Sequence, residues 1–392
     1  MPKVLLVTND FPPTLGGIQS YLRDFLATLP PESVMVFAST QDAKAAEEYD
    51  KTLPYPVVRW PRKVMLPTLP TMAKMQELIR EHNIETVWFG AAAPLGLMGK
   101  AAKAAGAKRV VATTHGHEVG WSMIPGARQC LRAIGNSADV VTYIASYTLG
   151  RIKPAFGDHP EFVHLPSGVD VERFQPVDKK PGRERFGWGD DPVVVCISRL
   201  VRRKGQDKLI SVWPRIRTHF PNARLCIIGG GPYERGLKEH AATAQGFDRY
   251  SEAKEAFDAS SNPDSLYDGI YFMGKLSDED LVLALGAADV FAMPCRTRGG
   301  GLDVEGLGIV YLEAQAAGIP VVAGNSGGAP EAVSTGTGIV VNGRDLDAIY
   351  SAIAELLENK DLATAMGEAG RDWVCENWTW EIMGQRLRDI LL

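Results

Sequence analysis

Short runs of β-branched and other apolar residues alternate with helical apolar periods from one end of this 392-residue chain to the other. Nothing else in the sequence restricts the fold as tightly. Val4–Thr8, Val34–Ala38, Val57–Trp60, Thr86–Phe89, Arg109–Thr113, Val140–Ile144 and Phe162–Leu165 read as strands, with helical patterns such as Ile18–Thr28, Thr71–His82 and Leu95–Ala105 between them. Strand, helix, strand in that succession builds a parallel sheet covered by helices on both faces. The pattern begins again at Val193–Ser198 and continues through Arg224–Ile228, Ile270–Phe272, Val290–Met293, Val321–Ala323 and Gly338–Val340. One core does not usually extend over so long a chain. The expected architecture is therefore α/β with two Rossmann-like, doubly wound domains facing a central cleft, since ligands of such sheets bind beyond the carboxyl ends of the strands. A first domain over 1–174 would be followed by a Pro-, Gly- and charge-rich connection, Gln175–Pro192, that opens the second. Residues 239–268 are polar and read as an insertion.

Composition excludes several classes. Hydrophobic residues make up 45% and charged residues 23% of the chain, ordinary values for a globular protein. The formal charge of −5 divides into +2 for residues 1–174 and −7 for the rest, which lacks the concentrated basic face of a nucleic-acid binder but lets the first half approach an anionic membrane. Five cysteines, widely spaced and never in a C-x-x-C pair, imply neither a disulfide framework nor a zinc site. No signal-peptide pattern precedes Lys3–Thr8, and no stretch approaches the 18 apolar residues of a membrane span. A cytoplasmic protein, soluble or peripheral, is expected.

The chemistry concentrates in Pro294–Gly318, where Glu305 and Glu313 stand eight residues apart with a turn into a helix between them. Gly306 and Gly308 permit a tight path, and the unpaired amides of the first turn of Ile309–Ala317 would face an anion. One carboxylate could then meet a sugar and the other a ribose, with a diphosphate on the helix terminus between them. A buried helix with one solvated Glu is the plainer alternative. After strand Val193–Ser198, Arg199 and Lys204 are five apart on a strand-end loop, placed to neutralise a departing diphosphate, whereas Arg202 and Arg203 read as solvated. Thr113–Glu118 (T-T-H-G-H-E) follows strand Arg109–Thr113, so His115 and His117 leave the sheet at its carboxyl end. H-x-H-E lacks the helical H-E-x-x-H spacing of a zinc site. Gly16-Gly17, in the loop Asn9–Gln19, lets backbone approach phosphate, but G-x-G-x-x-G is absent. The two D-x-D strings, Asp278–Asp280 and Asp345–Asp347, sit where helices begin and read as caps.

E-G-x-G-I-V-x-x-E-A-x-A-A-G over Glu305–Gly318, with R-x5-K-G over Arg199–Gly205, resembles the donor-site signature of retaining GT-B glycosyltransferases. Pro166–Phe174, Gly229–Pro232, Gly274–Ser277 and Gly327–Glu331 are similar to further family markers, in family order. Trp88–Leu95, Thr114–Met123 and Met293–Glu305 look like the actinobacterial PimB-type phosphatidylinositol monomannoside mannosyltransferases. The resemblance implies transfer of mannose from GDP-mannose to a phospholipid acceptor, retaining the anomeric configuration and forming an α-1,6 linkage. It implies no required metal or other cofactor, no nucleic acid and no obligate protein partner. It also implies a peripheral place at the inner face of the plasma membrane. His115, Arg199, Lys204 and Glu305 would be catalytic. Gly16, Gly17, Gly230, Lys275, Gly308, Ile309, Val310 and Glu313 would join Arg199, Lys204 and Glu305 around the donor. Asp10, Gln19, His117 and Glu118 would meet the acceptor, the last two alternatively holding His115. A second domain over 175–376 would bind the donor, and a C-terminal helix within 377–392 would return to the first. Another GT-B enzyme, with a different donor or acceptor or acting as a nucleotide-sugar epimerase or hydrolase, is the alternative.

Overall fold

The computed structural model describes residues 3–14, 16–244 and 268–392. Of the expected insertion 239–268, the start belongs to the helix Glu234–Ala244, and 245–267 lie outside the described residues.

Among the described residues the strands form two sheets. The first comprises β1 (Val4–Thr8), β2 (Val34–Ser39), β3 (Val57–Trp60), β4 (Thr86–Phe89), β5 (Arg109–Thr113), β6 (Val140–Tyr143) and β7 (Glu161–His164). The second comprises β8 (Val193–Ile197), β9 (Arg224–Ile228), β10 (Ile270–Gly274), β11 (Val290–Met293), β12 (Val321–Gly324) and β13 (Gly338–Val341). Their orders are β3-β2-β1-β4-β5-β6-β7 and β10-β9-β8-β11-β12-β13. In each, the chain steps outward from its first strand, then returns to the other side of that strand and steps outward again. All pairs are parallel: Val4 lies opposite Val34 on one side and Thr86 on the other, and Val290 opposite Val194. This winding splays the loops apart at the carboxyl ends of β1 and β4, and of β8 and β11, where a ligand finds room. Burial is complete along β1 and β2 and along Val193–Cys196, which is why these strands read as continuous apolar runs rather than alternating ones.

The chain divides into two compact units, Met1–Gly168 with Trp380–Leu392, and Val169–Thr379. The helix Trp380–Leu391 belongs to the first. Trp380 meets Phe25 edge-on at 5.1 Å, Arg388 donates to the Thr28 carbonyl at 2.8 Å, and Thr86 Oγ1 donates to the Leu391 carbonyl at 2.9 Å. The stretch 175–192 is not an open connection. It carries the helix Lys179–Phe186, capped by Asp178, and lies wholly in the second unit. Gly182 packs so closely that a Cβ would stand 2.6 Å from the Leu283 carbonyl oxygen, while Lys179 and Arg183 both reach Asp289. Its Pro, Gly and charge are those of a short helix fastened by ion pairs, which composition alone does not distinguish from a linker.

Candidate active site

The loops that leave the carboxyl ends of β8, β9, β10 and β11 carry most of the donor residues expected from sequence. Arg199, just past β8, is exposed, and among the described residues its guanidinium has no ion-pair partner. Lys204 ends the turn Arg202–Lys204 and is buried, with Nζ 2.6 Å from Glu305 Oε2. The contact lies off the hydrogen-bonding direction of that oxygen, so it is an ion pair by proximity. Arg203 Nε stands 3.9 Å from the same oxygen. The two cations thus differ in state: one is free in solvent, the other already neutralises the buried carboxylate that sequence assigned to the sugar.

Glu305 is held from several sides. Its loop leaves β11, and Arg296 in that loop forms a two-point pair with Asp207 at 2.8 Å on each oxygen, tying it to the helix Gln206–His219. Asp303 receives Arg203 at 3.4 Å and Arg298 at 3.6 Å. The Glu305 carbonyl accepts from the Gly328 amide at 3.0 Å. Gly308 then turns the chain into the helix Ile309–Ala316 from the left-handed region, φ 83° and ψ 62°, and a Cβ there would lie 2.6 Å from the buried Tyr311 ring. No side chain caps this helix. Its amides at Ile309 and Val310 precede the first ladder bond, and with the helix dipole they favour an anion.

Glu313, one turn further, is half-buried, and burial pushes its carboxyl up to about 7 against the pull of Arg173. The ionised form is the better acceptor for a ribose diol, and protonation grows as pH falls through about 7. Affinity for the nucleotide-sugar donor that the sequence resemblance implies is therefore expected to weaken on acidification across that range, because a diphosphate diester does not itself titrate there. Calorimetric titration from roughly pH 6 to 8 checks this: Glu313→Gln flattens the profile, and a flat wild-type profile would remove Glu313 from the ribose.

Gly230 and Lys275 also come together. A Cβ on Gly230 would lie 3.2 Å from Lys275 Cε, so the lysine stem runs across that glycine. The Leu200 amide bonds the Gly230 carbonyl at 3.1 Å, joining this loop to the one that bears Arg199. The D-x-D strings serve as helix starts: the Asp280 amide donates to Ser277 Oγ, and the Asp347 and Ala348 amides donate to Asp345. Among the described residues no three His, Cys, Asp or Glu side chains gather as a metal-binding group.

In the first unit, Gln19 donates to Asp10 at 3.0 Å, bringing two expected acceptor residues side by side. Gly16 and Gly17 are exposed where the helix Gly17–Ala27 begins. His115 is half-buried, with Nε2 2.7 Å from the Gly90 carbonyl and its ring edge-on to Tyr21 at 5.0 Å. Burial holds its pKa below the usual range, partly opposed by Glu118. His117 is exposed; Glu118 is fully buried at 0%. Sequence reasoning missed Gly90 and Tyr21. The available signal for Gly90 was its place directly after β4, beside the point where the sheet reverses.

Family models match both halves: Glycosyltransferase Family 4 over residues 15–173 and Glycosyl transferases group 1 over residues 191–359. A GDP-mannose-dependent monoacylated alpha-(1-6)-phosphatidylinositol monomannoside mannosyltransferase of Corynebacterium glutamicum is 57% identical over 99% of this chain and 97% of its own. A GDP-mannose-dependent alpha-(1-6)-phosphatidylinositol monomannoside mannosyltransferase of Mycolicibacterium smegmatis is 51% identical over 99% and 98%. In fold, the chain is similar to Anabaena HepE in complex with UDP, with a TM-score of 0.75 at 19% identity over 100% of this chain and 99% of that one.

Proposed function

The chain belongs to the GDP-mannose-dependent phosphatidylinositol monomannoside mannosyltransferases, of GT-B fold, and from that premise we propose how its residues carry the reaction. It transfers mannose from GDP-mannose to phosphatidylinositol monomannoside in α-1,6 linkage, with retention. In our reading the diphosphate lies on the amides of Gly308, Ile309 and Val310, Glu313 takes the ribose, and Lys275 beside Gly230 borders the base. Glu305 fixes sugar hydroxyls. As the bond from the mannose anomeric carbon to the diphosphate breaks, Arg199 and Lys204 stabilise the charge that grows on the leaving oxygen. The acceptor hydroxyl attacks from the same face and its proton passes to the leaving phosphate. With these cations and the helix terminus in place, the transfer needs no metal. Asp10, Gln19 and His117 meet the acceptor.

The single observation that carries this reading is Lys204 held 2.6 Å from Glu305, next to a glycine-capped helix terminus at the carboxyl edge of β8 and β11. Incubation with radiolabelled GDP-mannose tests it. Label is expected in lipid only when phosphatidylinositol monomannoside is present. Free mannose without acceptor would mark a hydrolase, an altered nucleotide sugar an epimerase, and no lipid label in either arm would overturn the assignment.

Among the described residues no helix is long and apolar enough to cross a membrane. We place the enzyme peripherally at the inner face of the plasma membrane, working without an obligate protein partner. The loop after β3 supports this. Asn9 grips it at both polar atoms of Met65, accepting the amide at 2.6 Å and donating to the carbonyl at 2.9 Å, and buried Met65 anchors it. Val64, Leu66 and Leu69 stand 57%, 52% and 79% exposed beside exposed Arg62 and Lys63. A rigid loop presenting apolar tips flanked by cations suits an anionic lipid surface. Sedimentation with phosphatidylinositol-containing liposomes at low salt is expected to fall several-fold in Arg62→Glu with Lys63→Glu; unchanged sedimentation would rule the loop out.

A further inference from the structure

We propose that Glu118 is a positioning residue, whose buried carboxylate folds the loop after β5 so that His115 commits Nε2–H to the Gly90 carbonyl and presents Nδ1 as its open nitrogen. This rests on the reading that His115 faces the donor.

The Glu118 side chain, 0% exposed, is closed to a substrate. Its Oε2 accepts the amides of both His115 and Gly116 at 3.1 Å, and its Oε1 lies 3.2 Å from His117 Nε2. One carboxylate thus gathers three consecutive residues, at the first position of the helix Glu118–Met123, where a negative charge is favoured. The His115 backbone is set by this contact; its ring is set by the other. A carbonyl oxygen only accepts, so at 2.7 Å from the Gly90 oxygen Nε2 carries the proton. Gly90 is packed where no side chain fits: a Cβ there would lie 2.7 Å from Leu22 Cδ1 and 3.1 Å from both Leu6 Cδ1 and Thr8 Cβ. Tyr21 closes the ring's flank, its hydroxyl fixed to the Leu165 carbonyl at 2.7 Å.

In the neutral ring the remaining nitrogen, Nδ1, offers a lone pair, which accepts a hydrogen bond from a hydroxyl such as one on the donor sugar. Protonation turns Nδ1 into a donor and ends that role. Glu118, His117 and Asp10 are the charged or titratable groups that bear on the ring, along with the uncharged Tyr21; burial lowers its pKa and Glu118 raises it. Removing the Glu118 charge therefore lowers it further and extends the acidic limb of activity downward.

Glu118→Gln keeps an oxygen for the two amides but loses the charge, and Glu118→Ala loses both. In the full-length enzyme with 15N-labelled histidine, the wild type is expected to show His115 as the Nε2–H tautomer, and Glu118→Ala a mixture. Turnover in Glu118→Ala, read as kcat at saturating acceptor because Glu118 also touches His117, should fall roughly tenfold, as for loss of a charged hydrogen-bond anchor. Glu118→Gln should recover most of kcat with its acidic limb displaced to lower pH. An Nδ1–H tautomer in the wild type, or an unchanged kcat in Glu118→Ala, would overturn the proposal. Unchanged turnover in His115→Ala would instead overturn the donor-facing reading, while the tautomer signal still decides the positioning claim.

Discussion

Lys204→Ala is expected to lower kcat at saturating donor roughly a thousandfold, the upper end of what one preorganised donor to a developing charge supplies. Two losses combine. The first is the cation proposed to meet the leaving diphosphate. The second follows from the ion pair at 2.6 Å, in which both side chains are nearly buried: without Lys204, the cation left beside Glu305 among the described residues is Arg203, at 3.9 Å, and a buried carboxylate that loses its close partner is strongly destabilised where it stands. Arg199→Ala removes an exposed cation without such a partner, and a loss of about a hundredfold is expected. Steady-state rates with folding checked by circular dichroism decide the matter. A Lys204→Ala loss no larger than that of Arg199→Ala would show that the pairing with Glu305 contributes nothing.

Gly327→Ala is expected to be about as damaging as Arg199→Ala although the residue bears no chemistry. Gly327 sits at φ 58°, and a Cβ would stand 2.0 Å from the Glu305 carbonyl oxygen and 3.1 Å from Val304 Cβ. The same carbonyl accepts the Gly328 amide at 3.0 Å. A methyl group must push the Glu305 backbone away, breaking that bond and moving the carboxylate off Lys204. Strain and overpacking together are about 3 kcal/mol, equivalent to roughly a hundredfold in kcat/KM if spent at the site. The expected result is that loss with a lowered melting temperature. Wild-type kinetics and melting would mean that the loop yields freely.

Much of the fold was legible because buried parallel strands announce themselves. β1, β4, β5, β9 and β11 begin and end where their apolar runs do, since their sheet faces are largely covered and no regular polar alternation blurs them; β3, half-buried at the sheet edge, is recognisable by its β-branched and aromatic residues. The stretch 175–192 was misread because Lys179–Phe186 is too polar to show a helical apolar period; Asp289 and the close approach of Gly182 hold it. In the site, residue types and spacing pointed to a diphosphate between Arg199, Lys204 and the glycine-capped helix. They could not show that Lys204 pairs with Glu305, a contact that exists only because β8 and β11 become neighbours when the sheet winds back. Arg203, set aside as solvated, in fact reaches Asp303 and approaches Glu305. The string H-G-H-E likewise gave no sign that Glu118 turns back beneath its own loop, because a carboxylate at a helix start looks the same whether it faces solvent or three residues of backbone.

The central claim is that this chain moves mannose with retention, using cations in place of a metal and no enzyme-bound nucleophile. The most direct test is the anomeric configuration and linkage of the product made from GDP-mannose and phosphatidylinositol monomannoside in metal-chelating buffer, read by one-bond carbon–proton coupling in NMR. The account predicts a single new α-(1→6)-linked mannose on phosphatidylinositol monomannoside, formed at an undiminished rate; a β-anomer, a linkage other than 1→6, or a reaction abolished by the chelator would contradict it.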